Sequence, residues 1–192
     1  MVGEHAIAWF DDRVIAKVQG LESNSLTGFM KFFTAIGAGI PVVAITAVAM
    51  AFLYFVLKHR LELVFFTVVV VGSALLNMVL KLAFRRERPT LHRIAEASGF
   101  SFPSGHSMAA FTLYGVLCFL LWKHIRHPFG RFAMILFGCL LTATIGISRI
   151  YLGVHYPSDV VGGYLCSGMW LAASIGYYQH SLEHRIVNRA SR

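Results

Sequence analysis

Apolar residues in this chain gather into long runs instead of alternating with polar ones. Runs over 38–57, 61–84, 105–122, 132–147 and 160–178 each approach the ~20 residues a helix needs to cross a bilayer. The second is broken only by Glu62 near its start and Lys81 near its end. None shows the period-two alternation of a transmembrane strand. The pattern predicts an all-α fold: one membrane-embedded domain over 1–192, with about five spanning helices in 38–178 and a short tail at 179–192. Ahead of the runs, Ile7, Phe10, Val14, Val18 and Leu21 recur at spacings of three and four, flanked by Trp9 and the pair Asp11-Asp12. Residues 1–30 are therefore expected to form an amphipathic helix at the membrane interface. A helix packed on the bundle is the other reading of the same stripe.

The loops orient the bundle. Lys58-His59-Arg60 joins the first two runs, Lys123, Arg126 and Arg131 lie between the third and fourth, and Arg185, Arg189 and Arg192 close the chain. Alternating passes put all three groups on one face, which the positive-inside rule makes cytoplasmic. Lys81, Arg85, Arg86, Arg88 and Arg93 fall on the other face, against that rule, so a cluster retained for chemistry is expected there. Residues 1–30 share this outer face and carry no apolar signal segment. That arrangement leads to the expectation of a further span upstream of Met1.

Composition sharpens the class. Of 192 residues, 57% are hydrophobic and 14% charged, a balance far from that of soluble domains. The net charge of +8 would suggest nucleic acid in a soluble protein. Here the basic residues stand between apolar runs, so anionic lipid headgroups are the expected partners and nucleic acid is excluded. Cys118, Cys139 and Cys166 all lie inside apolar runs without metal-ligand spacing, and read as small buried hydrophobes.

Three polar segments sit at ends of the apolar runs: Lys81 with Arg88-Pro89, Pro103-Ser104-Gly105-His106, and Ser148-Arg149 followed by His155 and Asp159. Charge near a bilayer is costly and marks function. Lys81 gives a point charge and Arg88 a planar fork able to hold two phosphate oxygens, with Pro89 expected to stop the helix there. Gly105 lets an anion approach the backbone at a helix start, where free N–H groups and the helix dipole favour it. Ser104 can donate its hydroxyl, and His106 in the first helical turn is placed to act as a general acid. Arg149 adds a third cation. Asp159, four residues after His155, can fix the imidazole tautomer and leave the other ring nitrogen free to attack phosphorus. Asp159 also suits the start of the fifth helix, where Pro157 is tolerated in a first turn.

Lysine, six residues, then Arg-Pro; Pro-Ser-Gly-His; and Ser-Arg, five residues, His, three residues, Asp: this order resembles the signature of the type 2 phosphatidic acid phosphatase superfamily, complete at every defining position over residues 81–159. Within it the chain is similar to small bacterial membrane phosphatases acting on phosphatidylglycerophosphate or undecaprenyl pyrophosphate. The resemblance implies a bundle of six spans, one more than the pattern shows. It implies His155 as nucleophile through a phosphohistidine, Asp159 as its orienter, and His106 as acid and then base. Lys81, Arg88, Ser104, Gly105 and Arg149 would bind the phosphoryl oxygens. No cofactor is implied. No metal is expected either, because Glu87, Glu96 and Asp159 are too few carboxylates for a two-metal centre. The expected partner is a phospholipid or polyprenyl phosphate in the cell membrane, met on the extracytoplasmic face. Three further readings stay open: a vanadate-type peroxidase site, a non-catalytic lipid-binding protein, and a transporter using Ser73 and Asn77. Ordinary helix-packing hydrogen bonds account for those two residues. The 90–102 loop is expected to select the substrate, with His92 and Arg93 as candidate headgroup contacts.

Overall fold

The structure is a computed structural model describing residues 2–37, 39–58, 60–90 and 92–190. Ala38, His59, Leu91 and Arg192, used above to bound runs and loops, lie outside the described residues, as do the side chains of Arg185 and Arg189. Among the described residues there are seven α-helices and no strand: α1 (Val2–Gln19), α2 (Asn24–Ile36), α3 (Gly39–Ala51, continued by a π-helical turn Phe52–Val56), α4 (Arg60–Phe84), α5 (Gly105–Leu121), α6 (Pro128–Tyr151) and α7 (Pro157–Ala190). Four stretches, Gly39–Val56, Arg60–Phe84, Pro128–Tyr151 and Pro157–His184, are long and apolar enough to cross a membrane. The remaining expected span, the third run, is α5, which is apolar but has only 17 residues.

α5 is the hub, packed against α4, α6 and α7. Phe66, Val69, Leu113 and Val116, all fully buried, form the heart of a core that extends to Leu53 in the π-helical turn and Leu171 in α7. The outer faces are apolar too: Ile40 is 85% exposed and Phe55 71%. A soluble monomer rarely leaves so continuous an apolar surface in water, so lipid is its solvent. Most polar groups between helices are paired, as a membrane bundle requires, whereas Thr46 Oγ1 in α3 is buried without a partner among the described residues. Ser73 Oγ lies 2.8 Å from Thr112 Oγ1, and the Trp170 indole donates to the Val69 carbonyl at 2.9 Å. Asn77 donates to the Pro103 carbonyl at 3.2 Å, tying α4 to the turn ahead of α5. Ser73 and Asn77 are thus packing groups.

Three expectations change. The amphipathic helix expected over 1–30 is two helices, because Ser23 takes an extended backbone and caps α2, its Oγ accepting the Leu26 N–H at 3.3 Å. Nor does α1 bury the whole stripe. Val14, Ile15, Val18 and Gln19 turn inward with Asp11, whereas Ile7, Trp9 and Phe10 face out. Finally, α4 ends at Phe84, before Pro89: Arg85 turns left-handed at φ +47°, so Arg88 stands in an extended segment beyond the helix. α6 and α7 are longer than their apolar runs. Pro128 starts α6 behind a His127 cap, and α7 carries the expected tail as helix up to Ala190.

Candidate active site

The three polar segments meet at one end of the bundle, over a second apolar cluster of Met30, Tyr151, Leu152 and Val154. Each is held by a helix end. Lys81 lies in the last turn of α4 and donates to the Phe100 carbonyl at 2.5 Å. Ser104, fully buried, caps α5: its Oγ accepts from the Ser107 N–H at 3.4 Å and from the Ser107 hydroxyl at 2.9 Å, leaving its own hydrogen to donate. Gly105 and His106 follow, half-buried, as the first residues of that helix. Arg149 closes α6, and Ser148 beside it turns back to its own helix, donating to the Ile145 carbonyl.

The turn between α6 and α7 presents His155. Gly153, at φ +71°, allows the chain to fold under the Arg88–Ser98 connection; a Cβ there would stand 2.3 Å from the His92 carbonyl oxygen. Pro157 opens α7, and Asp159 two residues on reaches back to accept the Tyr156 N–H at 2.8 Å, as the acidic residue of a capping box does. The same Oδ2 accepts from the Ser101 hydroxyl and stands 3.5 Å from His155 Nδ1. That last distance is at the outer limit of a hydrogen bond, and His155 Nδ1 has no other partner.

Chemistry assigns the tautomer of His155. Arg88 Nη1 lies 3.1 Å from His155 Nε2, and a guanidinium can only donate. Nε2 is therefore the unprotonated nitrogen, and the ring proton sits on Nδ1, facing Asp159. Burial, reinforced by Arg88 and Arg149 and opposed by Asp159, pushes the His155 imidazolium down from 6.5 to about 4, so the ring is neutral at pH 7. Burial also lowers the pKa of the Arg88 guanidinium.

Four cations surround this histidine, and they divide in two. Among the described residues, Lys81, Arg88 and Arg149 have no carboxylate partner. Lys81 donates to a carbonyl, Arg88 to the carbonyls of Ser98, Gly99 and Val154, and Arg149 to Thr34 Oγ1 at 2.5 Å. Arg149 is 6% exposed and its Nε meets no acceptor. Three buried or half-buried cations without counter-charge leave a strong positive field, which an anion of two charges would largely offset. Arg86 behaves otherwise. It pairs with Asp159 Oδ1 and with Asp11 Oδ2 from α1, both at 2.8 Å.

All eight residues singled out from the sequence thus lie at this end. Sequence reasoning placed Arg86 in the basic cluster without a role, and missed Ser101, Ser158, Thr34 and Asp11. One signal for Asp11 was available: it shares the inward helical face with Val14, Ile15 and Val18 at spacings of three, four and seven. The proposed headgroup contacts are engaged elsewhere, His92 with Glu22 at 2.5 Å and Arg93 with the Pro89 carbonyl.

Two cavities adjoin the site. One of about 300 Å³ is bounded by Asp12, Gln19, Thr90, His155 and Tyr156. The other, about 450 Å³, is an apolar groove between α3, α4 and α5, walled by Val42, Met50, Val70 and Leu113, that reaches Asn77 and Gly105. A larger groove of about 640 Å³ lies at the opposite end, around Glu62, Lys123 and Tyr178.

Known proteins resemble this chain in sequence and in fold. Phosphatidylglycerophosphatase B of Bacillus subtilis is 45% identical over 94 residues, 47% of this chain and 45% of that protein. An undecaprenyl-diphosphatase of Sulfolobus acidocaldarius is 28% identical over 151 residues, 77% of this chain and 68% of its own. The chain spans about half the length of the first curated relatives it matches. The crystal structure of a transmembrane PAP2-type phosphatidylglycerolphosphate phosphatase from Bacillus subtilis superposes with a TM-score of 0.83 at 29% identity, covering 91% of this chain and 87% of that one. Residues 62–183, which hold all three polar segments, match the PAP2 superfamily, and the chain belongs to it.

Proposed function

We propose that this protein is an integral membrane lipid phosphatase that converts phosphatidylglycerophosphate to phosphatidylglycerol through a phosphohistidine. The observation that carries the reading is the set of three cations without a carboxylate partner among the described residues, Lys81, Arg88 and Arg149, around a neutral histidine backed by a buried carboxylate. An incoming phosphate draws Arg88 onto its oxygens and so frees the Nε2 lone pair that Arg88 covers. Nε2 attacks phosphorus as the P–O bond to the lipid breaks, and His106, taking up a proton in the field of the bound phosphate dianion, gives it to the departing alkoxide. Asp159 steadies the positive ring. His106 then takes a proton from water, whose oxygen attacks phosphorus and releases inorganic phosphate and free His155. The Ser104 hydroxyl and Gly105 N–H join the cations where charge develops, and each such donor is worth ~100- to 1000-fold in rate.

The apolar groove reaching Gly105 supports a lipid tail lying between α3, α4 and α5 while its headgroup meets the cations. Basic residues at the opposite end of the bundle, Lys58, Arg60, Lys123, Arg126 and Arg131, support an active site on the extracytoplasmic face of the cell membrane. Undecaprenyl pyrophosphate is the second reading. It rests on the diphosphatase relative that aligns with 77% of this chain, and on a site whose cations suit a diphosphate equally.

The test is phosphate release by the purified protein in detergent, with EDTA present, from phosphatidylglycerophosphate, phosphatidic acid and undecaprenyl pyrophosphate. Wild type is expected to release phosphate fastest from the first, and His155→Ala to release none. A faster rate on the diphosphate would transfer the assignment to the second reading. Activity lost to EDTA and restored by magnesium would overturn the mechanism.

A further inference from the structure

α1 touches the reaction centre through one carboxylate. Asp11 is 1% exposed although its helical neighbours Phe10 and Asp12 are exposed. A helix that only rested on the bundle would gain nothing from burying a charge, since desolvation is costly unless every oxygen is paired. Here both are. Oδ1 accepts the Ser158 N–H at 2.8 Å, capping α7 from another helix, and Oδ2 accepts the Ser158 hydroxyl at 2.7 Å and Arg86 Nη2 at 2.8 Å.

Arg86 carries the connection onward. Its Nη1 donates to Asp159 Oδ1 at 2.8 Å and to Ser158 Oγ at 2.7 Å, and its guanidinium lies over the Tyr156 ring, 4.2 Å from the centroid. The fork is thus fixed by two carboxylates, a hydroxyl and an aromatic face. Holding Oδ1 of Asp159 leaves Oδ2 turned to Ser101, Tyr156 N–H and His155. Pairing with Asp11 also keeps Arg86 from joining the three cations that face the phosphate.

We propose that Asp11 and Arg86 are positioning residues of the phosphoryl transfer: Asp11 fixes Arg86, and Arg86 fixes the Asp159 carboxylate that orients His155. This makes α1 part of the catalytic unit, and the inference rests on the phosphohistidine reading given above.

The experiment is a kinetic double-mutant cycle on the full chain in detergent, with the lipid phosphate that wild type hydrolyses fastest. Arg86→Gln is expected to lower kcat by ~10- to 100-fold, the usual scale for a residue behind a functional group, with KM changed less than about threefold. Asp11→Asn should lower kcat by a smaller factor, and the double variant should be no slower than Arg86→Gln alone, because both changes break one chain of contacts. Effects that multiply, a loss confined to KM, or a kcat within about threefold of wild type for both variants would overturn the inference. If Arg86→Gln does not yield monodisperse protein, Asp11→Asn decides: a lowered kcat at unchanged KM supports the chain, and an unchanged kcat refutes it. Failure of wild type to release phosphate would instead remove the phosphatase reading itself.

Discussion

Asp159→Asn isolates what one negative charge does at this site. The substitution keeps the shape of the side chain and removes the anion 3.5 Å from His155 Nδ1. As His155 bonds to phosphorus its ring becomes cationic, and Asp159 then faces a unit positive charge. Both side chains are nearly free of solvent, 2% and 0% exposed. At an effective dielectric of about 20, unit charges at that separation attract by close to 5 kcal/mol. At ~1.4 kcal/mol per factor of ten, the whole of it is worth about three decades of rate. A loss of ~1000-fold in kcat is therefore expected, near the effect of neutralising the acid of a Ser-His-Asp triad. KM should change little, since the ground-state ring is neutral. Phosphate release under saturating and limiting lipid separates the two. A kcat within tenfold of wild type would refute Asp159 as the partner of a charged histidine. Arg86 also loses one of its two anions, and a buried charge-assisted bond is worth ~1.5–3 kcal/mol, so the unfolding temperature in detergent should fall as well.

Other consequences can be checked in the same preparations. Arg149→Met removes a buried cation that has no counter-charge, so kcat/KM should drop by ~100- to 1000-fold; because repulsion among the site cations falls as well, its unfolding temperature should hold or rise, and a marked loss of stability would contradict an unpaired role. His155 is neutral in the fold down to about 4 against 6.5 in the unfolded chain. Its contribution to stability is therefore full above 6.5 and is lost as pH falls towards 4. The wild-type unfolding temperature should decline across that window more steeply than that of His155→Gln, and parallel curves would count against the burial argument. Gly163→Val should disturb the turn ahead of α5, because a Cβ at Gly163 would already stand 3.1 Å from the Ser104 carbonyl oxygen and 3.2 Å from Ser107 Cβ. Overpacking of this kind costs ~1–3 kcal/mol, and a lowered kcat with a lowered unfolding temperature is expected; a variant as stable and active as wild type would mean that the two helices can separate there.

The sequence carried the site further than it carried the helix ends. Lys81, His106, Arg149, His155 and Asp159 were legible because polar residues at the ends of apolar runs have few reasons to be there. The ends of α6 and α7 were not, since hydropathy stops where lipid stops, whereas a helix reaches out to Pro128 or past Tyr178 as long as its hydrogen bonds continue. Arg85 and Arg86 look alike in the sequence. What separates them is the left-handed turn at Arg85, which leaves that side chain exposed and sends the next towards Asp159. That choice depends on Asp11 and Ser158, 75 and 72 residues away, and no local pattern records such a contact.

The shortness of α5 has a topographic meaning. Its 17 residues rise about 25 Å, against ~30 Å for the hydrocarbon layer. With its far end level with one water boundary, its head at Ser104 lies several ångströms below the other. In a bilayer of that thickness a headgroup would have to sink below its neighbours, into a dimple floored by Ser104, His106 and Arg149. A thicker bilayer deepens the dimple and a thinner one flattens it, so the host membrane sets how far a headgroup must sink before it meets the floor.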